Sequence, residues 1–319
     1  MSPGASKKLI IFITIDTEDN YFEVPRLITG EGLTGNPGIH KILDITEQYG
    51  FKSNVFLDVY NHQNFQPGVL QSIAQSIYDR GHEVELHTHP DYAKHLDFYK
   101  GYIYKYPLEG QIRIMEYGKN LIYEWTGEYP VAHRGGSYAM NEDTLNALYE
   151  VGIPIDSSLY FQHKNNQLKE AFTINKVSFY ARTIEVPVTL VRIAKSDGSY
   201  RNSKFDIDAH SYDQLIKVIQ SAKENNLPTL TLFLHSFSFI RRNTKKARDE
   251  DDPRALFRSL SRNRSFKCEI LGVDDNKVVK YDQLLNYIAQ DSDIEVLTFR
   301  DWYQTDPDFD CGSDFIPVI

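Results

Sequence analysis

Residues 9–15 read Leu-Ile-Ile-Phe-Ile-Thr-Ile, six apolar side chains and Thr14, and run without a charge into Asp16. A run that dense in isoleucine has no solvent face, so as a strand it must be covered on both sides. That is the condition of a parallel sheet wrapped in helices, and it narrows the chain to an α/β fold. In such folds the reacting groups collect at the carboxyl ends of strands. The exit from this strand carries Asp16, Glu18 and Asp19, three acids within four positions. A single acid there is an ordinary turn former. Three are candidates for metal ligands or a general base.

The remaining chain alternates in the same sense. Pro37-Gly38 opens a helix with Ile39, Ile42 and Leu43 on one face and Gly50 at its end. A second strand ends near Asp58, and Pro67 starts a helix through Leu70, Ile73 and Ile77. A third strand leaves His82 and runs into His87-Thr88-His89-Pro90. Helical spacing over 108–125 leads to a strand at 131–134 closed by Gly135-Gly136, and Asn141 caps a helix that reaches Gly152. Short strands are expected at 153–156 and 184–190, a helix over 212–222, and an apolar strand over 229–235 ending in His235. A helix over 280–289 and a strand over 294–299 follow, while 20–36 reads as irregular. Strands alternating with helices over the whole length predict one parallel, barrel-like domain. Residues 1–7 read as a disordered N-terminus, 8–319 as the domain, and 241–267 as a charged insertion. Such a charge run is ordinarily a solvated loop; the sharper reading is a phosphate-binding lid.

Composition excludes several partners. The 319 residues carry 35 Lys+Arg against 44 Asp+Glu, a net charge of −9, which disfavours nucleic acid and anionic membranes. No apolar run is long enough to span a bilayer. The first eight residues lack the apolar core of a signal peptide, so a cytoplasmic location is the expectation. Cys268 and Cys311 stand far apart in polar surroundings and suggest neither a disulfide framework nor a zinc knuckle. Oligomeric state is not legible.

Three strand exits therefore carry the chemistry: Asp16/Glu18/Asp19, His87/His89/Asp91 and His235. In a parallel barrel all three open into one mouth. His87 and His89 are two residues apart, so on extended backbone they project to the same side. Two imidazoles and a carboxylate leave open positions on a divalent ion, as a hydrolytic metal requires. His235 is a candidate general acid, since a histidine near its ordinary pKa can protonate a departing amine at neutral pH. Arg134 is placed to orient a base carboxylate or to bind a substrate anion.

In this order the residues resemble the polysaccharide deacetylases of carbohydrate esterase family 4, the NodB-homology domain, over roughly residues 8 to 300. Thr14-Ile-Asp16-Thr-Glu18 resembles the opening Thr-Phe-Asp-Asp-Gly motif, whose first Asp is the catalytic base and whose second binds the metal. Gly81-His-Glu-Val-Glu-Leu-His87-Thr88 resembles the second motif and puts His87 at the first metal histidine. Arg134-Gly-Gly resembles the third, where an Arg holds the base, and Phe233-Leu-His235-Ser the closing motif that supplies the general acid. The resemblance implies a distorted barrel of seven or eight βα units, a divalent metal with zinc expected, and an N-acetylated saccharide as substrate. Thr17 stands at the usual metal Asp, so the resemblance leaves Glu18 first, or Asp19, for that place. Position 91, four after His87, is Asp91 where the family has its second histidine, so His89 or Asp91 completes the set. The Asp-Thr-Glu-Asp and His-Thr-His-Pro pairing is most similar to the lipopolysaccharide-biosynthesis branch. A non-catalytic member that binds glycan or nucleotide sugar, and a cyclic-amide hydrolase, are the rival readings.

Overall fold

The structure, a computed structural model, describes residues 8–19, 25–93, 101–168, 174–180, 182–246, 266–305, 307 and 315–319. The expected tail at 1–7 lies outside the described residues, as does Cys311. In chain order the strands are β1 (Leu9–Thr17), β2 (Asn54–Asp58), β3 (Glu83–Thr88), β4 (Ala132–Gly135), β5 (Ile155–Asp156), β6 (Ser178–Tyr180) and β7 (Thr183–Glu185). They continue as β8 (Leu190–Ala194), β9 (Tyr200–Lys204), β10 (Thr229–His235), β11 (Ile240–Lys246), β12 (Phe266–Val273) and β13 (Ile294–Val296).

β1 organises the main sheet, whose order is β10-β1-β2-β3-β4-β5-β7-β6 with β13 beside the start of β1. Every pairing is parallel except β6 with β7. The sheet curls into a half-barrel, and a single α/β domain results. The gap between β7 and β10 is bridged without a regular strand. There the Thr231 amide donates to Thr189 Oγ1 (2.8 Å) and the Phe233 amide to the Phe205 carbonyl (2.8 Å). This is the distorted barrel that the sequence predicts.

Side-chain alternation explains why the first strand tolerates Thr14. Ile11, Ile13 and Ile15 face outward into the large core shared with the helices Ile39–Gln48, Val69–Asp79 and Asp275–Gln290. Phe12, Thr14 and Asp16 face inward. At the amino end of the strands the interior is apolar, Phe12 and Phe56 packing on Phe299 and Trp302. At the carboxyl end it is polar.

Most expected elements stand within a few residues of their predicted place. The strand expected over 184–190 is instead two pieces, β7 and the start of the β8–β9 hairpin, with Pro187 between them. Proline has no N–H to give the ladder, so a continuous strand cannot pass through it. The last strand stops at Val296, and Thr298 caps a helix Phe299–Gln304 by accepting from the Asp301 amide. Within 20–36, Arg26–Thr29 is a short helix. The two ends of the 241–267 insertion are strands, β11 and β12 pairing as an antiparallel ribbon, and 247–265 lies outside the described residues.

Candidate active site

Arg134 leaves β4 with its guanidinium wholly buried. A buried cation is tolerated only when its donors are matched. Here Nη1 donates to Asp16 Oδ1 (2.7 Å) and Thr14 Oγ1 (3.2 Å), Nε to the Ser157 carbonyl (2.9 Å), and Nη2 to Ser157 Oγ (3.0 Å). The Phe56 and Phe233 rings lie 4.1 and 5.0 Å from the guanidinium carbon. Burial pushes the Asp16 carboxyl up, but the charges of Arg134, His87 and His235 outweigh it and hold Asp16 below its ordinary value. Asp16 is thus an anion aimed into the barrel mouth.

His87, on β3, sits between Asp58 of β2 and Arg134 of β4 in the sheet register. Its Nδ1 is 2.8 Å from the Arg134 carbonyl, which can only accept, so Nδ1 carries the proton. Nε2 is then a free lone pair, 3.9 Å from Glu18 Oε2 and 4.0 Å from Asp16 Oδ2. His89 follows just past the strand, its ring edge-on to His87 (4.9 Å) and its Nε2 2.7 Å from Glu18 Oε2. The chain passes close beneath that ring at Gly136, where a Cβ would meet His89 Cε1 at 2.4 Å. The glycine is what lets the turn after β4 and His89 share the space.

Glu18 Oε2 and His89 Nε2 are both buried and face each other as an ion pair. One ligand atom each from Glu18, His87 and His89 lies within 4.8 Å of the others, a group that could hold a metal ion. The donor set, one carboxylate and two neutral imidazoles, fits a divalent ion with a remaining open position. Burial lowers His87 to about 4, keeping its ring neutral. Burial also disfavours a charged His89, but the Glu18 carboxylate prevails and raises it to about 9 without metal. Among the open alternatives, Asp19 is turned elsewhere. Its Oδ2 accepts the Leu27 amide (2.7 Å) at the helix Arg26–Thr29. Asp91 lies on the turn Pro90–Tyr92 and is outside the group around Glu18.

His235 ends β10 directly beside Asp16 in the register. Its amide donates to Ser238 Oγ (3.0 Å), and its Nδ1 stands 4.0 Å from Asp208 Oδ2. Burial and then the Lys204 charge lower its pKa, which makes the imidazolium a readier proton donor. Asp156 is buried and far more than a turn former: it binds His133 Nδ1 (2.6 Å) and accepts from both the amide and hydroxyl of Ser158.

Sequence reasoning passes over several neighbours. Asp58 ends β2 as Asp16 ends β1; burial, then the Glu18 charge, raises it to about 8. The strand-end signal was there to find it. Lys204, Asp206 and Asp208 lie on the hairpin exit and the turn after it, where no periodicity marks them.

No family model and no curated protein matches the sequence. Solved structures do. The chain is similar to a putative polysaccharide deacetylase from Mycobacterium smegmatis at a TM-score of 0.57 and 15% identity, covering 96% of this chain and 92% of that one. It is also similar to a 4-alpha-glucanotransferase from Thermococcus litoralis (TM-score 0.52, 10% identity, 93% of this chain, 40% of that one). A family 4 carbohydrate esterase from Streptomyces lividans in complex with acetate superposes more loosely (TM-score 0.42, 11% identity, 92% and 93%). The likeness is one of fold, a mostly parallel, strongly curled half-barrel like that of the mycobacterial polysaccharide deacetylase.

Proposed function

We propose that this chain is a metal-dependent hydrolase that removes an N-acetyl group from an amino sugar. The observation that carries the reading is the convergence at one barrel mouth of an Arg134-held Asp16, the Glu18–His87–His89 group and His235. We further propose a cytoplasmic precursor of a surface polysaccharide of lipopolysaccharide type as the substrate, on the motif pairing in the first and third strand exits.

A divalent metal, for which we propose zinc, would supply carbonyl polarisation and a lowered pKa for water. Glu18, His87 and His89 would hold it. Asp16 accepts the proton of the attacking water, and Arg134 keeps that carboxylate anionic and fixed in direction. His235 delivers a proton to the nitrogen as the carbon–nitrogen bond breaks, so that the amine departs neutral. Acetate and the free amino sugar are the products.

The test is metal content beside acetate release from N-acetylated saccharides. About one equivalent of zinc is expected in the wild type, lost in Glu18→Ala and His87→Ala. Asp16→Asn is expected to keep the metal and to lose turnover by on the order of 10²-fold or more. Undiminished acetate release in Asp16→Asn would sink the mechanism.

A further inference from the structure

His235 is held between two phenylalanines, and each ring carries a cation. Phe233 meets the imidazole edge-on at 5.1 Å, and Lys204 Nζ sits 3.3 Å from its centroid. Phe237 stacks on the imidazole at 4.6 Å and 15°, and the Arg242 guanidinium lies 3.6 Å from its centroid. Phe233 is fully buried and Lys204 partly so, with a side-chain exposure of 17%. A partly desolvated ammonium needs partners of opposite charge or lone pairs. Its present partners are Asp206 Oδ2 (3.2 Å) and the Tyr138 hydroxyl (2.7 Å).

The wall continues outward from Lys204 as an aromatic cluster. Tyr138 lies 5.1 Å from Tyr160 and 5.0 Å from His163, all three half-buried. Lys164 acts on His163 and Arg201 on Tyr160. The acids facing this wall are Asp206, which pairs Lys204, Asp16 and Glu18, whose charges reach His235, and, behind His235, Asp208, which Lys277 pairs at 2.6 Å. Aromatic rings suit a sugar face, while fixed cations in a partly desolvated cleft suit an oxyanion.

We infer that the rim around His235 is an anion subsite, so that the saccharide taken carries a phosphate or carboxylate next to the sugar that loses its acetyl group. This rests on the deacetylase reading for the acetyl group, but the charge preference can be measured by binding alone. Lys204 and Arg242 would contact the anion, and Tyr138 and Tyr160 the ring.

The experiment is calorimetric titration of the zinc-loaded full chain with N-acetylglucosamine, N-acetylglucosamine 6-phosphate and N-acetylmuramic acid. Acetate release is followed in parallel. One or both charged sugars are expected to bind about tenfold tighter than the neutral one at low salt, a preference that fades as salt is added. The arm that shows the preference distinguishes phosphate from carboxylate. Arg242→Gln, at an exposed position, and Lys204→Gln should each bring the ratio toward one. Equal affinities in the wild type, no binding of any of the three at millimolar concentration, or a preference that survives both substitutions would overturn the subsite. The last result would assign the anion to the metal instead. A charged sugar bound tightly but never deacetylated would leave the subsite standing and remove the deacetylase reading; acetate release indifferent to charge would do the reverse.

Discussion

Arg134 is stable in the interior because four of its donors are met, and the argument runs both ways. Removing the cation leaves Asp16 charged, buried and alone, and such breakage costs about 3–5 kcal/mol. Arg134→Met should therefore destabilise the protein by that order, read as a shift in the urea midpoint. Adding Asp16→Asn should recover part of the loss, because the cost lies in the orphaned charge. Strict additivity of the two substitutions would show that the pair is not coupled. His89 makes a second prediction at this scale. Its folded pKa is raised to about 9 from an ordinary value near 6.5. The stability it contributes is thus complete below about pH 6.5 and lost as pH rises through 9. Asp58 and Glu85, each raised to about 8 by burial, lose stability in the same direction. The His89 share appears as the difference between two melting curves. Chelated protein should lose roughly 5 °C more than zinc-loaded protein between pH 6.5 and 9.5, since the ion takes the place of the His89 proton. Parallel curves would remove the Glu18–His89 ion pair from the account.

At the scale of elements, the turn after β5 is what fixes the end of β4. Asp156 gathers Ser158 and His133, Ser158 Oγ accepts the Gly135 amide (2.8 Å), and Ser157 takes two bonds from Arg134. Opposite it in the register is Glu185, whose Oε1 accepts the Leu159 amide (2.9 Å) and whose buried Oε2 finds a partner by carrying a proton that it donates toward Asp156. Burial and the Asp156 charge hold Glu185 well above the carboxylate range, so the two acids share one proton. Glu185→Gln, which keeps a donor there, should change stability by less than about 1 kcal/mol. Glu185→Ala should cost roughly 2–3 kcal/mol by orphaning the Leu159 amide and leaving a void, as read by thermal unfolding. Little of this clamp is legible in the sequence. Asp16, His87 and His235 are, because each ends a strand whose apolar run announces burial and direction together. Asp156 follows only a two-residue strand, and Glu185 lies in a stretch whose apolar character hides the break at Pro187. Lys204 and Asp208 stand at the exit of a polar hairpin and in a turn, where side-chain orientation depends on tertiary packing alone.

For the whole molecule, the barrel separates what holds it together from what it does. Leu9 and Asp16 lie at or next to opposite ends of one strand, roughly 23 Å apart at 3.3 Å per residue. Around the first end β13 pairs with β1, and Phe299 and Trp302 close the floor on Phe12 and Phe56. Around the second stand the ionised groups. The interior between them passes from aromatic to hydroxyl to charge along single strands, Phe12 to Thr14 to Asp16, and Phe233 to His235. Chain order hides this layering, because the floor is sealed by residues near 300 and the mouth by residues from six separate strands and turns. The separation makes a prediction. Trp302→Ala opens a cavity in the floor and should cost about 3–5 kcal/mol, lowering the urea midpoint without altering its slope. Because the barrel wall between floor and mouth is close-packed and stays folded in the native state, zinc stoichiometry and affinity at 25 °C should stay at wild-type values. A variant that lost metal while remaining folded would show that the floor sets the geometry of Glu18, His87 and His89, and that the two ends of the barrel act as one unit.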